Sequence, residues 1–144
     1  MTNKNYIDAY KKASNSMNSV KSSHEIIREL MFHLANSMDK IVIDINEYKN
    51  NELDSKIISK KELALKQSKN MTKSLSIIYG LQTCLDFDKA PEIAGNLFQL
   101  YEFARQKVIS SFTKKDTDGI NQATAVIREI LDGWQSIPME NRNI

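Results

Sequence analysis

From Ile27 to Tyr48 the apolar residues Ile27, Met31, Leu34, Met38, Ile41, Ile45 and Tyr48 recur at spacings of 4, 3, 4, 3, 4 and 3. A helix of 3.6 residues per turn gathers residues at such spacings into one stripe, whereas a strand would scatter them over both faces. The chain is thereby committed to a long helix that needs packed neighbours along most of its length. Elsewhere it offers few places to break, with two prolines and four glycines in 144 residues. No strand-like alternation persists beyond a few residues. The expected class is all-α.

The start of the long helix is marked by "SSHE", where the Ser22 hydroxyl can cap and Glu25, three residues on, can reach back to the cap amide. After the polar stretch "KNNELD", a further helix is expected from about Asp54 to Cys84, with Ile57, Ile58, Ala64, Leu65, Met71, Leu75, Ile78, Tyr79 and Leu85 on one broad face. Another runs from Pro91 to Thr113. The last follows "KKDTD" and carries Ile120, Ala123, Ile127, Ile130, Trp134 and Ile137, with Pro138 as its stop. Long helices joined by short polar connections pack as an antiparallel four-helix bundle. Residues 1–144 are read as one domain, with the bundle over 22–138. Ahead of it, Tyr6, Ile7 and Tyr10 share one face of a short additional N-terminal helix, too short to be stable alone, and residues 1–15 are expected to be mobile. Gly80, Gly95 and Gly133 fall inside helices, where each costs about 1 kcal/mol relative to alanine. Each is read as permitting a close helix approach or a groove.

Charge and composition exclude several functions. The 20 Lys and Arg are interspersed among 18 Asp and Glu without a long block of one sign, so nucleic acid is not an expected partner. The densest basic run, Lys56, Lys60, Lys61, Lys66, Lys69 and Lys73, reads as a solvated helix face. Cys84 is the only cysteine and sits among Leu81, Leu85 and Phe87, which suggests a small buried hydrophobe in a reducing compartment. The N-terminus lacks the apolar core of a signal peptide, and no apolar run is long enough to span a bilayer. A cytoplasmic protein without stable membrane insertion is expected.

Nothing in the sequence suggests an enzyme or a cofactor site. There is no glycine-rich phosphate loop and no nucleophile-and-base pattern, and His24 and His33 lack zinc-ligand spacing. A histidine phosphotransfer module is the alternative from another class, because His33 lies on a long helix in "FHLANS". Against it, Phe32 and Leu34 flank the ring and Lys40 is two turns away. A helical adaptor for some other secreted protein is a third reading.

The helix beginning at Pro91 carries more apolar surface than a bundle seam requires. Ile93, Leu97, Leu100, Ala104 and Val108 form one stripe, while Phe98, Tyr101, Phe103, Ile109 and Phe112 spread over other faces. Such a helix is either central or leaves surface for a partner.

The run "LDFDKAPEIAGNLFQLYEF" resembles the signature of the flagellar secretion chaperones that bind flagellin, in Leu85, Asp86, Glu92, Ile93, Ala94, Asn96, Leu97, Leu100 and Tyr101. Tyr6 and Tyr10 resemble that family's Tyr-x-x-x-Tyr start. Ser22, Ile26, Ile27 and Leu30 resemble its capped helix, and "REILDGWQSI" its ending, so nearly the whole chain is covered. Ala90-Pro91 stands where the family usually has Gly-Gly, and "LMFHLA" replaces a Leu-Tyr-Asp-Gly pattern. The chain is similar to a divergent member.

The resemblance implies a cytosolic export chaperone. It would bind the C-terminal segment of flagellin, prevent its premature polymerisation and assist delivery to the gate of the flagellar type III export apparatus. Other flagellar proteins are candidate competitors for the same grooves. Ile93, Leu97, Leu100, Tyr101 and Ala104 are the expected groove residues, with Asn96 as an orienting polar contact. Leu97, Leu100 and Ala104 are equally readable as core, and Tyr101→Glu is expected to abolish client binding while sparing stability. Tyr6, Ile7 and Tyr10 are expected to form a gate that covers an apolar groove until the client arrives.

Overall fold

The computed structural model describes residues 22–54 and 60–137, with side chains for 22–50 and 61–137. Tyr6, Ile7, Tyr10, Lys56, Ile57, Ile58 and Pro138 lie outside the described residues or side chains, as do the expectations placed on them. Four helices follow in order: α1 Ser23–Asp54, α2 Lys60–Thr83, α3 Pro91–Lys114 and α4 Asp118–Gln135. α1 packs on α2 and α4, and α3 packs on the same two helices, which closes a ring of four.

The heptad seam of α1 is the spine of this helical bundle. Met31, Leu34, Met38, Ile41 and Ile45 are all buried, each at no more than 1% exposure, and burial of a side chain of this size stabilises by about 1.5–3 kcal/mol. Ile27 closes the seam at one end, while Tyr48 is half-buried at the other. The Ser22 hydroxyl accepts the Glu25 amide at 3.2 Å, so the capping half of the expected motif is formed. α1 also runs further than expected. The "KNNELD" stretch is helical rather than a connection, because it contains no Gly or Pro to end the helix.

Cross-helix polar bonds fix direction and register. The Ser74 hydroxyl donates to Ser37 Oγ at 2.8 Å, Ser37 donates to the Asn70 carbonyl at 3.1 Å, and the Asn70 amide donates to Asp44 at 2.6 Å. Lys66 pairs with Glu47 at 3.6 Å. Partners fall along α2 as they rise along α1, so the two run in opposite directions. His24 meets Trp134 and Asp39 meets Arg128, which sets α4 against α1 in the same sense. Gln82 on α2 bonds Glu102 on α3 at 2.8 Å, and Lys115 beyond α3 donates to Gln67 on α2.

These bonds explain where the inward face of α2 differs from expectation. Leu63, Gln67, Ser74, Ile78 and Leu81 are buried, whereas Ala64, Leu65 and Tyr79 are exposed. Two positions of the buried stripe are polar: Ser74 is satisfied by Ser37, and Gln67 Oε1 accepts from Lys115 while its Nε2 is buried without a partner among the described residues. On α3 the buried stripe is Ala94, Tyr101, Ala104, Val108 and Ser111, with Leu97 packed partly against it. On α4 it is Ile120, Ala123, Thr124, Ile127, Leu131 and Trp134.

The close-approach half of the glycine expectation is corrected. A Cβ at Gly80, Gly95 or Gly133 would meet nothing within 4 Å, so none of the three marks a close approach. The tight position is Gly119, where a Cβ would lie 2.9 Å from Lys107 Cδ. Cys84 is likewise exposed rather than a buried hydrophobe. It sits just past the end of α2, where the chain leaves the core. At the end of α3, Lys115 adopts the left-handed backbone (φ 54°) that usually favours glycine, and its amide bonds the Ser111 carbonyl. Its ammonium lies 4.8 Å from each of the Tyr48 and Phe112 ring centres, and burial lowers its pKa.

Candidate functional site

One end of the bundle carries a narrow crevice to which every helix contributes. Its walls are Ile27, Leu81, Leu85, Ala94, Leu97 and Trp134, with Cys84, Asp86 and Tyr101 as the polar or polarisable points. This convergence follows from antiparallel packing, which brings together the start of α1, the end of α2, the start of α3 and the end of α4.

The turn between α2 and α3 is built by Asp86. Its carboxylate accepts the amides of Asp88 and Lys89, each at 3.0 Å, and its carbonyl accepts the Ala90 amide. Ala90 is non-helical (φ −144°, ψ 71°), and Pro91 starts α3 where its missing amide proton costs nothing. Phe87 projects from this turn, half-exposed at 49%, and meets Phe98 edge-on at 6.4 Å between ring centres.

The opposite wall is held by a reciprocal clasp. His24 and Trp134 stack at 5.0 Å with 10° between their planes. The Trp134 indole donates to the His24 carbonyl at 2.9 Å, and His24 Nε2 donates to the Trp134 carbonyl at 2.7 Å. A carbonyl oxygen only accepts, so Nε2 carries the proton. His24 Nδ1 is buried without a hydrogen-bond partner among the described residues. The clasp ties the first turn of α1 to the last turn of α4 and fixes the indole that lines the crevice.

The residues expected from the sequence divide by position. Leu97 and Tyr101 line the crevice. Tyr101 is only 1% exposed, so its ring belongs to the core; burial first, and the neighbouring Cys84 thiol second, push its hydroxyl pKa up to about 12. Ala104 is buried in the core and Leu100 is half-buried. Ile93, at 46% exposure, and Asn96 face solvent. The expectation that Tyr101→Glu would spare stability therefore fails on burial. Ile27, Leu81, Leu85, Ala94 and Trp134 were missed as wall residues. Four of them sit in the end turns of their helices at the same end of the bundle and Leu85 lies in the turn just past α2, a signal available once the helices are set antiparallel.

His33, on which the phosphotransfer alternative rests, is exposed, and the Phe32 ring stands edge-on to it at 5.7 Å. Among the described residues no three His, Cys, Asp or Glu side chains converge to hold a metal, and no helix is long and apolar enough to cross a membrane.

A family model described as "Flagellar protein FliS" matches residues 6–141. The chain is similar to the flagellar secretion chaperone FliS of Vibrio cholerae, with 29% identity over 139 residues, 96% of this chain and 92% of that protein. It is also similar to the flagellar secretion chaperone FliSB of Pseudomonas aeruginosa, 35% identical over 45% of this chain and 52% of that protein. The FliS of Salmonella typhimurium is 29% identical over 46% of this chain and 50% of its own length.

Proposed function

The chain belongs to the FliS family of flagellar secretion chaperones, and from that premise we propose that its client is flagellin. In this reading the protein binds the C-terminal segment of flagellin in the cytoplasm, keeps it from polymerising and presents it to the flagellar type III export gate. The bundle is of the antiparallel four-helix kind, an arrangement supported by the closed ring of contacts and the opposed partner order along neighbouring helices.

The observation that carries the client reading is the apolar crevice with half-exposed Phe87 and Ile93 beside it. An amphipathic helix can lay its apolar side chains along such a surface, Leu97 receiving one at the crevice mouth. Asn96, exposed on the same turn of α3, supplies an orienting polar contact. Ile93 adds outer surface, Leu100 flanks it, Tyr101 forms the floor, and Ala104 supports that floor from the core. Tyr6, Ile7 and Tyr10 act as a gate in the free protein, and deleting residues 1–15 is expected to raise client affinity.

Calorimetric titration with the C-terminal segment of the same organism's flagellin tests the proposal. One-to-one binding with a large negative heat-capacity change supports apolar burial coupled to folding. A titration without heat at tens of micromolar, checked by gel filtration, would refute flagellin as the client and leave another secreted flagellar protein in its place.

A further inference from the structure

The outward face of α2 carries a combination that the crevice does not use. Leu65 and Tyr79 are 62% and 71% exposed, the two most exposed of the large apolar side chains among the described residues. They lie fourteen residues apart with Thr72 midway, a spacing of whole heptads that keeps all three on one line about 21 Å long. Lys69 and Lys73 flank that line on the side nearer α1 and Lys61 stands on it one turn before Leu65, all three exposed and without an ion pair among the described residues, while Lys66 reaches sideways to Glu47. From Leu63 to Thr83 the helix contains no Asp or Glu. Unpaired like charges along one helix repel each other, and two large apolar groups lie unburied beside them.

We propose that this face is a second docking surface, which takes an amphipathic helix of another protein with an apolar seam and an acidic flank on the side of Lys69 and Lys73. Heptad spacing of the exposed anchors suits a helix laid alongside α2, whose own apolar residues would settle between Leu65, Thr72 and Tyr79. The flanking lysines select glutamate or aspartate at the positions beside that seam. A phosphate backbone would gain nothing from an apolar centre line. A membrane surface requires a continuous apolar face, and Ser68, Thr72 and Ser76 interrupt this one. The surface lies on the side of α2 opposite buried Ile78 and Leu81, so this inference does not depend on flagellin filling the crevice.

The test uses the full chain, isotopically labelled for NMR, and a synthetic helical peptide about three heptads long with leucine at the seam and glutamate along one flank. Amide shifts should change along Leu65 to Tyr79 and not around Leu97 and Trp134. Affinity should fall steeply with salt, and Lys69→Glu with Lys73→Glu should weaken it about tenfold or more. Lys69→Gln with Lys73→Gln, which keeps the helix without reversing charge, should show an intermediate loss. A peptide with lysine along that flank should not bind. Absence of binding at millimolar peptide, or shifts confined to the crevice, overturns the proposal. So does tighter binding of duplex RNA or phosphatidylserine vesicles at this face, or its burial by self-association in sedimentation.

Discussion

Truncating Tyr101 separates core from client surface. Its ring is 1% exposed and packs in the same cluster as Leu34, Met38 and Val108. Tyr101→Ala removes a fully buried aromatic ring, a change that costs about 3–5 kcal/mol once the cavity left behind is included. A domain of this size is stable by about 5–15 kcal/mol, so the variant should stay folded at low temperature with a much lower urea midpoint. Tyr101→Phe keeps the ring and should lose less than about 1 kcal/mol, because the hydroxyl makes no hydrogen bond among the described residues. The phenol adds an alkaline signature. Its pKa is about 12 in the folded chain against 10.0 ordinarily, so folding favours the protonated form. Its contribution is fully present below pH 10 and is lost as pH rises towards 12, by about 1.4 kcal/mol per unit. Urea titrations followed by circular dichroism at pH 9, 10 and 11 should show a steeper loss for the wild type than for Tyr101→Phe. An Ala variant destabilised by less than about 1 kcal/mol, or identical alkaline slopes, would refute the assignment of Tyr101 to the core.

Three further outcomes follow from the geometry. His24→Ala removes the stacked ring and its bond to the Trp134 carbonyl and should cost about 2–3 kcal/mol, with a red shift of tryptophan fluorescence as the indole gains water. Lys115→Ala keeps the left-handed strain and loses the contacts with Gln67, Tyr48 and Phe112, so Lys115→Gly should be about 1 kcal/mol more stable than Lys115→Ala in thermal unfolding. Ile93→Asp, at an exposed position, should change stability by less than about 0.5 kcal/mol while weakening flagellin binding about tenfold in the calorimeter; unchanged affinity would remove Ile93 from the client surface.

Periodicity revealed α1 and α4 because their buried stripes are almost wholly apolar, from Ile27 to Ile45 and from Ile120 to Trp134. It misplaced the inward face of α2 because Gln67 and Ser74 are buried with partners from residues distant in sequence. Ser74 bonds Ser37 on α1, and Gln67 bonds Lys115 beyond α3. No local window shows those partners, so a hydropathy reading moves the stripe onto Leu65 and Tyr79. The same limit applied on α3. The family signature singled out Leu97 and Tyr101, both of which reach the crevice, but a motif on one helix does not disclose walls supplied by three others. Trp134 was legible as an apolar residue, and its role as a wall depends on the His24 clasp 110 positions away.

Cys84 gives the crevice an experimental consequence. The chain's single thiol is exposed and stands among the crevice residues. A fluorophore or spin label attached to the wild-type chain would therefore report from the crevice without any engineered substitution. If the crevice takes a client helix as proposed, the label's mobility can be followed as that helix arrives and again as it leaves, which turns the timing of loading and release into a spectroscopic quantity.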